Sequence, residues 1–480
     1  DILKNEKLII GFDPKLLTKQ NLNLIFGKNH CVYKPLNKNL IDKFWKRKII
    51  ENKDKFYSLP KKSVGQDYKT KIAKIVLNLK KNNSDFQFIS ASENNAWLLN
   101  IRGRDTKFTP VPYSYGLMDR KKNTYFFCDQ KKITVSLKKK LNKVNFVDKN
   151  ILRKTLSNIS GKKFIIDRNT CSYYYENIIL KKNKIINVQD PIYFLKAIKS
   201  KKEIANIKKA HIFDGAALTK YLFWVKKNFN KRKITEISAS QKLFNFRKKN
   251  RDFKFLSFPT ISGSGPNGAI IHYNATEKTN RQLKKGDIYL VDSGGQYNFG
   301  TTDVTRTISL KNSSKRVKNI FTRVLKGHIA VATTNLTSLN TGKQIDLKAR
   351  KYLREIKLDY QHGTGHGVGF FLNVHEGPQS ISKFNKIKIR EGMILSNEPG
   401  YYKKDKFGIR IENLIYVKKN RNKTYFENLT FAPIDKDLIN FDLLTNDEKN
   451  YLWKYNLDIY TKLYKYLNPS EKKWLATFIQ

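Results

Sequence analysis

The chain has 480 residues, with 95 Lys and Arg against 40 Asp and Glu, a formal charge of +55, and 40% hydrophobic and 12% aromatic content. That composition excludes a disordered polar chain, and the length suits about two to four domains, each able to bury its own core. Cys31, Cys128 and Cys171 stand far apart with no CxxC pair, which excludes a disulfide scaffold and a zinc ribbon and fits a reducing compartment.

No apolar run approaches the ~18 residues that cross a bilayer, so no membrane partner is expected. Asp1 opens the chain and no signal-peptide core follows it, so the expectation is a mature or truncated chain. Of the basic residues 77 are Lys and 18 are Arg. Arg is the side chain that reads phosphates and bases bidentately. The lysines are spread along the whole chain beside abundant Asn and Ile, which reads as A/T-biased codon drift on solvated faces. No specific nucleic-acid partner is expected, and the run Lys138 to Lys143, without interleaved aromatics, reads the same way.

The first ~60 residues carry a strand-like run at Leu8-Ile9-Ile10, a polar helix-like stretch and a basic segment to Pro60, too little for an independent domain. From Tyr68 the spacing Ile72, Ile75, Val76, Leu79 predicts an amphipathic helix. Strand-like pieces follow at Phe86 to Ser90, Ala96 to Ile101, Thr124 to Cys128 and Lys163 to Asp167, giving one small α/β domain through about residue 195. A lysine-rich helical stretch from Ser200 to Lys227 opens the longer region beyond. GSGPNG (Gly263 to Gly268) fits a dinucleotide fingerprint by its letters, but Pro266 and the following apolar run read as turn and strand rather than a helix start.

The chemistry-bearing residues lie in this second region. The chain has only seven histidines, yet His362, His366 and His375 fall within fourteen residues of HGTGHGVGFFLNVHEGP. In GDIYLVDSGGQYNFGTTDVTRTISL, a turn centred on Tyr297-Asn298 would set Asp292 opposite Asp303. In ILSNEPGYYKKDKFGIRIENLIYV, a turn centred on Asp405 would set Glu398 opposite Glu412. Like charges facing each other on one sheet face destabilise a hairpin unless a cation lies between them. For one hairpin alone, ordinary turn acids are the plainer reading; two such pairs have the design of an oxygen-rich metal cage. The stretches 286–310, 359–380 and 391–402 contain no Lys at all, as if an extra cation were excluded there. Four carboxylates and an imidazole suit two hard or borderline divalent ions, with Mn²⁺ the expected pair and Co²⁺ or Zn²⁺ the alternatives. Two such ions ~3.5–4 Å apart hold a bridging hydroxide and polarise a carbonyl, which means hydrolysis.

FPTISGSGPNGAIIHY, YLVDSGGQYNFGTTDVTRT, DYQHGTGHGVGFFLNVHEGP and NEPGYYKKDKFGIRIEN, in this order, resemble the pita-bread metallopeptidases and specifically the aminopeptidase P family. The resemblance runs from about residue 66 to the end and implies an α+β fold. In it, a creatinase/aminopeptidase-like catalytic domain at 196–480, with a C-terminal extension from about 420, follows a smaller α/β domain at 66–195. Residues 1–65 resemble only the last part of a further N-terminal domain, a truncated remnant by this reading. The resemblance implies Asp292, Asp303, His366, Glu398 and Glu412 as metal ligands, with Asp303 and Glu412 shared by both ions. His272, His362 and His375 match additional active-site histidines that line the substrate pocket. Catalytic roles fall to Glu398 as proton carrier and to the histidines, and Arg410, on the strand face of Glu412, is expected to pair with a ligand carboxylate such as Asp292. The implied activity removes the first residue from peptides with proline at position two, by attack of a metal-bridging hydroxide, in a cytoplasmic homodimer. The alternatives are a prolidase acting on X-Pro dipeptides, a methionine aminopeptidase, disfavoured by the domain at 66–195, and a non-catalytic pita-bread binding protein, disfavoured because every ligand position is filled.

Overall fold

The computed structural model describes residues 8–27, 31–45 and 52–479. Part of the basic segment expected before Pro60, at 46–51, lies outside the described residues. The chain divides into two compact units, residues 1–195 and 196–480.

The first unit is built on a mixed six-stranded sheet ordered Lys184–Asn187, Lys163–Ile166, Phe86–Ile89, Tyr115–Asp119, Thr124–Cys128, Val144–Asp148. Phe88, Leu117, Phe127, Phe164 and Ile166 alternate inward from its strands and meet Leu152, Leu156 and Ile179. The helix Tyr68–Lys81 forms as its spacing predicts: Asp67 caps it by accepting from the Thr70 amide, and Ile72, Ile75, Val76 and Leu79 are its buried stripe. Towards the N-terminus, Ile9–Phe12 pairs in parallel with Val32–Pro35, and the short helix Lys19–Phe26 lies between them in sequence. One expectation fails. Ala96 to Ile101 is not a strand: Ser92–Leu98 is helical, and only Ile101–Arg102 pairs as a strand. The apolar run Ala96-Trp97-Leu98-Leu99 is buried throughout, so periodicity cannot separate helix from strand there. What decides it is tertiary, since Asn94 Nδ2 donates to Asp190 Oδ2 at 2.8 Å and Asn95 Nδ2 to the Ile89 carbonyl at 3.2 Å.

In the second unit, antiparallel ladders carry the acids and helices flank them. Ile288–Ser293 pairs with Ile261–Ser264 on one side and Val304–Ser309 on the other. Ile394–Asn397 pairs with Asn413–Asn420, which also pairs with Lys423–Asn428. The hairpin Gly400–Lys403 with Phe407–Arg410 stands between the arms of the second ladder. The long helix Lys201–Asn228 starts in a capping box made by Ser200 and Glu203. Helices Lys315–Ala332, Gly342–Arg354 and Asn446–Leu463 supply a core in which Phe321, Val324, Leu353, Ile409 and Ile459 are fully buried. Arg306 is buried, and among the described residues no carboxylate pairs with it. Its guanidinium donates to the carbonyls of Thr305 and Glu412 at 2.7 Å, of Ala432 at 2.8 Å and of Pro433 at 3.0 Å. That satisfies a buried cation with carbonyls and pins the C-terminal segment to the strand beside Glu412.

The first hairpin corrects the expected register. Asp292 faces Thr305, and Tyr297 faces Gly300, so the turn is Asn298-Phe299 and Asp303 lies two positions along from the place opposite Asp292. A two-residue shift preserves the side-chain alternation, and Asp292 and Asp303 still share a face. The second hairpin keeps the expected register on both sides of the site: Gly400 faces Arg410 and Asn397 faces Asn413. Its loop is the three residues 404–406, with Asp405 at φ 57°, the left-handed position that such a turn requires. Glu398 and Glu412 occupy the break between the two ladders. There their amides leave each other and donate to Thr364 and Thr305 carbonyls instead, at 2.8 and 3.2 Å.

Candidate metal centre

Every acid of the expected set points into one cavity of about 510 Å³, lined also by His272, His362, His366, His375 and Arg410. Oxygen and nitrogen atoms of Asp292, Asp303 and Glu412 lie within 4.8 Å of one another; so do those of His366, Glu398 and Glu412, and those of Asp303, His366 and His375. Asp303, His366 and Glu412 each belong to two of these groups, Asp292, Glu398 and His375 to one.

Strand ends and short loops position the set. Asp292 is the penultimate residue of the strand Ile288–Ser293, and Asp303 sits in the gap before Val304–Ser309. His366 occupies the short strand Gly365–His366, whose approach to Ser396 is so close that a Cβ at Gly365 would lie 2.0 Å from the Ser396 carbonyl oxygen. Its Nδ1 stands 3.0 Å from the Gly367 carbonyl, which fixes Nδ1 as the protonated nitrogen. Nε2 is left facing Asp303 Oδ2 and Glu398 Oε1, each at 3.5 Å. His375 follows nine residues later, its ring 4.0 Å from that of His366.

Three buried carboxylates and the half-buried Glu398 cannot all be charged without positive charge beside them. Burial, reinforced by Asp292 and Glu398, holds the Asp303 carboxyl well above the usual carboxylate range. Burial and the neighbours Asp303, Glu398 and Asp292 do the same to Glu412. Asp292 is pushed up by burial more than Arg410 pulls it down. For Glu398 burial is outweighed by His366, His362 and Arg410, and its carboxyl is lowered. Burial, with His366 nearby, depresses His375 to about 4, and burial also depresses His362. Both rings are therefore neutral near neutral pH.

Asp292 Oδ1 is buried with no hydrogen-bond partner among the described residues, while Oδ2 accepts from Arg410 Nη2 at 2.7 Å. A lone pair buried without a donor, among three acids whose ionisation is suppressed, is the signature of a site built for cations. The donor set of four carboxylates and an imidazole fits divalent metal ions.

Three residues absent from the sequence reading complete the site. Thr305 Oγ1 donates to Glu412 Oε2 at 2.7 Å and accepts from Arg410 Nε at 3.1 Å. Ser396 Oγ donates to Glu398 Oε1 at 3.0 Å and accepts from the His366 amide at 2.9 Å. Tyr402 OH stands between Arg410 Nη1 at 2.6 Å and His362 Nε2 at 2.9 Å. Thr305 and Tyr402 share strand parity with Asp303 and Arg410, a signal that alternation offers but that many polar residues also satisfy.

A curved antiparallel domain whose acids meet histidines in one cavity defines the pita-bread class of metallopeptidases. Metallopeptidase family M24 matches residues 205–419, the creatinase/prolidase N-terminal domain residues 48–203, and the C-terminal region of peptidase M24 residues 424–480. Xaa-Pro aminopeptidase 1 of Dictyostelium discoideum is 36% identical over 507 residues, covering 99% of this chain and 80% of that protein. A probable Xaa-Pro aminopeptidase P of Laccaria bicolor is 37% identical, covering 98% and 75% respectively. The crystal structure of an X-prolyl aminopeptidase from Caenorhabditis elegans, described as a cytosolic enzyme with a di-nuclear active site, superposes with a TM-score of 0.91 at 29% identity. It matches 99% of this chain and 81% of its own. The chain belongs to metallopeptidase family M24 and, within it, to the aminopeptidase P group.

Proposed function

We propose that this chain is a dinuclear metal-dependent aminopeptidase that releases the N-terminal residue from peptides with proline at position two. The observation that carries the reading is the convergence of Asp292, Asp303, His366, Glu398 and Glu412 in one cavity, in a chain similar along 99% of its length to an Xaa-Pro aminopeptidase. Asp303 and Glu412, the two carboxylates that belong to two groups each, would be shared between the ions; Asp292 would serve one, and His366 with Glu398 the other. The oxygen-rich set favours Mn²⁺ over Co²⁺ or Zn²⁺. The metal pair, when bound, supplies Lewis acidity at the scissile carbonyl and lets water act as a nucleophile near neutral pH.

The protein's own residues do the rest. Glu398, ionised at neutral pH, takes a proton from the attacking water and returns it to the proline nitrogen as the bond breaks. His375, neutral and carrying one N–H, donates to the oxygen that becomes negative in the tetrahedral transition state. His362 and His272 form walls of the proline pocket, and Tyr402 fixes the His362 ring through Nε2. Arg410 holds Asp292 by one oxygen and leaves the other facing the cavity.

As domains we propose an N-terminal α/β segment at 1–65, a second α/β domain at 66–195, and the catalytic domain at 196–480 with its extension from about 420. We further infer a cytoplasmic homodimer. The cytosolic nematode relative and three free cysteines support the compartment, and exposed Trp453 and Leu457 on the helix Asn446–Leu463 offer a surface to a second copy. Among the described residues no helix is long and apolar enough to cross a membrane.

Steady-state assays with added Mn²⁺ on Ala-Pro-Ala, Ala-Pro and Met-Ala-Ser test the reading. Turnover of Ala-Pro-Ala supports it. Cleavage confined to Ala-Pro would make the protein a prolidase, cleavage confined to Met-Ala-Ser a methionine aminopeptidase, and inactivity on all three a binding protein.

A further inference from the structure

The wall of the cavity that carries His272 is irregular chain. After the 3-10 turn Gly265–Ala269, residues 270–282 form no named helix or strand, yet Ile271, His272, Tyr273 and Asn274 line the cavity. His272 is itself exposed, so packing alone does not hold it. Tyr273 and Ala275 pack against Ile261 and Leu290, and most of the side-chain hydrogen bonds that span this wall converge on one carboxylate. Glu236, at the start of the helix Glu236–Lys248, is completely buried. Its Oε1 accepts from the Ser264 amide at 2.7 Å, and its Oε2 from the Arg281 amide at 2.9 Å and the Tyr273 hydroxyl at 2.8 Å. Asn267 Nδ2 lies 3.1 and 3.0 Å from the two oxygens and 2.9 Å from the Thr279 carbonyl. One group thus holds both ends of the loop 264–281 and its middle. Among the described residues no basic side chain pairs with Glu236. A buried carboxylate balanced only by neutral donors carries a desolvation cost that no ion pair offsets, and its return is geometry.

We propose that Glu236 is a positioning residue for substrate binding: through Ser264, Asn267, Tyr273 and Arg281 it sets the cavity wall on which His272 stands. The kinetic half of the test rests on the aminopeptidase reading; the half that reads the loop itself does not.

Glu236→Gln keeps the shape and removes half of the acceptors. The Ser264 and Arg281 amides address opposite oxygens and, being backbone, cannot turn away. Whichever way the glutamine amide is set, one backbone N–H faces an NH₂ group. The expected result is a folded protein with unchanged metal content whose KM for Ala-Pro-Ala rises on the order of tenfold, with a smaller change in kcat. Trypsin should cut the native variant at Lys278 or Arg281 on the order of tenfold faster than wild type, since the loop opens more often. Wild-type KM together with wild-type cleavage would overturn the proposal. So would a lower melting temperature with both readouts unmoved, because Glu236 would then serve stability alone. Should the wild-type enzyme fail to cleave Ala-Pro-Ala, the aminopeptidase reading falls, and trypsin cleavage decides the role of Glu236 by itself. Should E236Q not fold, Asn267→Ala, which removes the donor shared by Glu236 and Thr279 and lies outside the cavity, carries the same expectations and the same refutation.

Discussion

Replacing Thr305 by valine should weaken metal binding while leaving every ligand in place. Thr305 faces Asp292 across the ladder, and its hydroxyl joins Glu412 Oε2 at 2.7 Å to Arg410 Nε at 3.1 Å. Valine has nearly the same shape, so the change removes two hydrogen bonds to charged groups without opening a cavity. A hydrogen bond to a charged group contributes ~1.5–3 kcal/mol, and both groups stripped here are buried. Side chains that orient ligands typically change metal affinity ~10–100-fold, or about 1.4–2.7 kcal/mol, close to the figure for one such hydrogen bond. The assay is calorimetric titration of Mn²⁺ into EDTA-stripped wild-type and T305V protein, with urea unfolding of both in EDTA. Saturating metal at ~1,000 times Kd stabilises a folded protein by ~4 kcal/mol, and a tenfold weaker Kd removes about 1.4 of that. A Kd within about twofold of wild type would refute the reasoning, since it would mean that Glu412 keeps its orientation without the hydroxyl.

Asp303→Ala should abolish turnover and reduce bound metal below two ions per chain, because the remaining acids cannot offset two cations held close together; elemental analysis checks it, and full stoichiometry would contradict the shared role. His375→Ala, with metal occupancy verified, should lower kcat on Ala-Pro-Ala by ~10²–10³, as expected for losing a donor to a developing oxyanion; near-wild-type kcat would remove His375 from catalysis. His328, with Nδ1 3.1 Å from the Asn397 carbonyl, is pushed by burial, and then by Arg306, from 6.5 down to about 3. Between those values the unfolded chain binds a proton that the folded chain does not, so this contribution is present above 6.5 and falls as pH drops, by about 1.4 kcal/mol per unit. Urea midpoints for His328→Gln should lose that slope of one proton, and an unchanged slope would contradict it. Burial pushes the Cys128 thiol up to about 12, so in the folded protein it should resist iodoacetamide, and Cys128→Ser should leave activity unchanged.

Local chain chemistry determined a good deal of this molecule. Ser200 and Glu203 box the start of the long helix, the stripe Ile72, Ile75, Val76, Leu79 faces a core, and the loop at Asp405 sets the register that runs through Glu398 and Glu412. The stripe and the register were legible because helical spacing and strand alternation act over fewer than about twenty residues, the range in which sequence order and spatial order coincide. Alternation even absorbed an error: the first hairpin turns at Asn298-Phe299, two residues away in register from the expected pairing, and parity kept Asp292 and Asp303 on one face. Tertiary structure alone decided that Ala96-Trp97-Leu98 belongs to a helix, because its selecting partner, Asp190, is 96 residues from Asn94. It also decided that Thr305 holds Glu412, 107 residues on, and that Glu376 beside His375 is clasped by Lys196 and Lys199 at 3.0 and 2.7 Å. Threonine, lysine and glutamate at such positions look like any solvated residue, since a single hydrogen bond across a hundred residues imposes no period on the chain. Only the closed fold, which buries these groups and brings their distant partners within reach, assigns them.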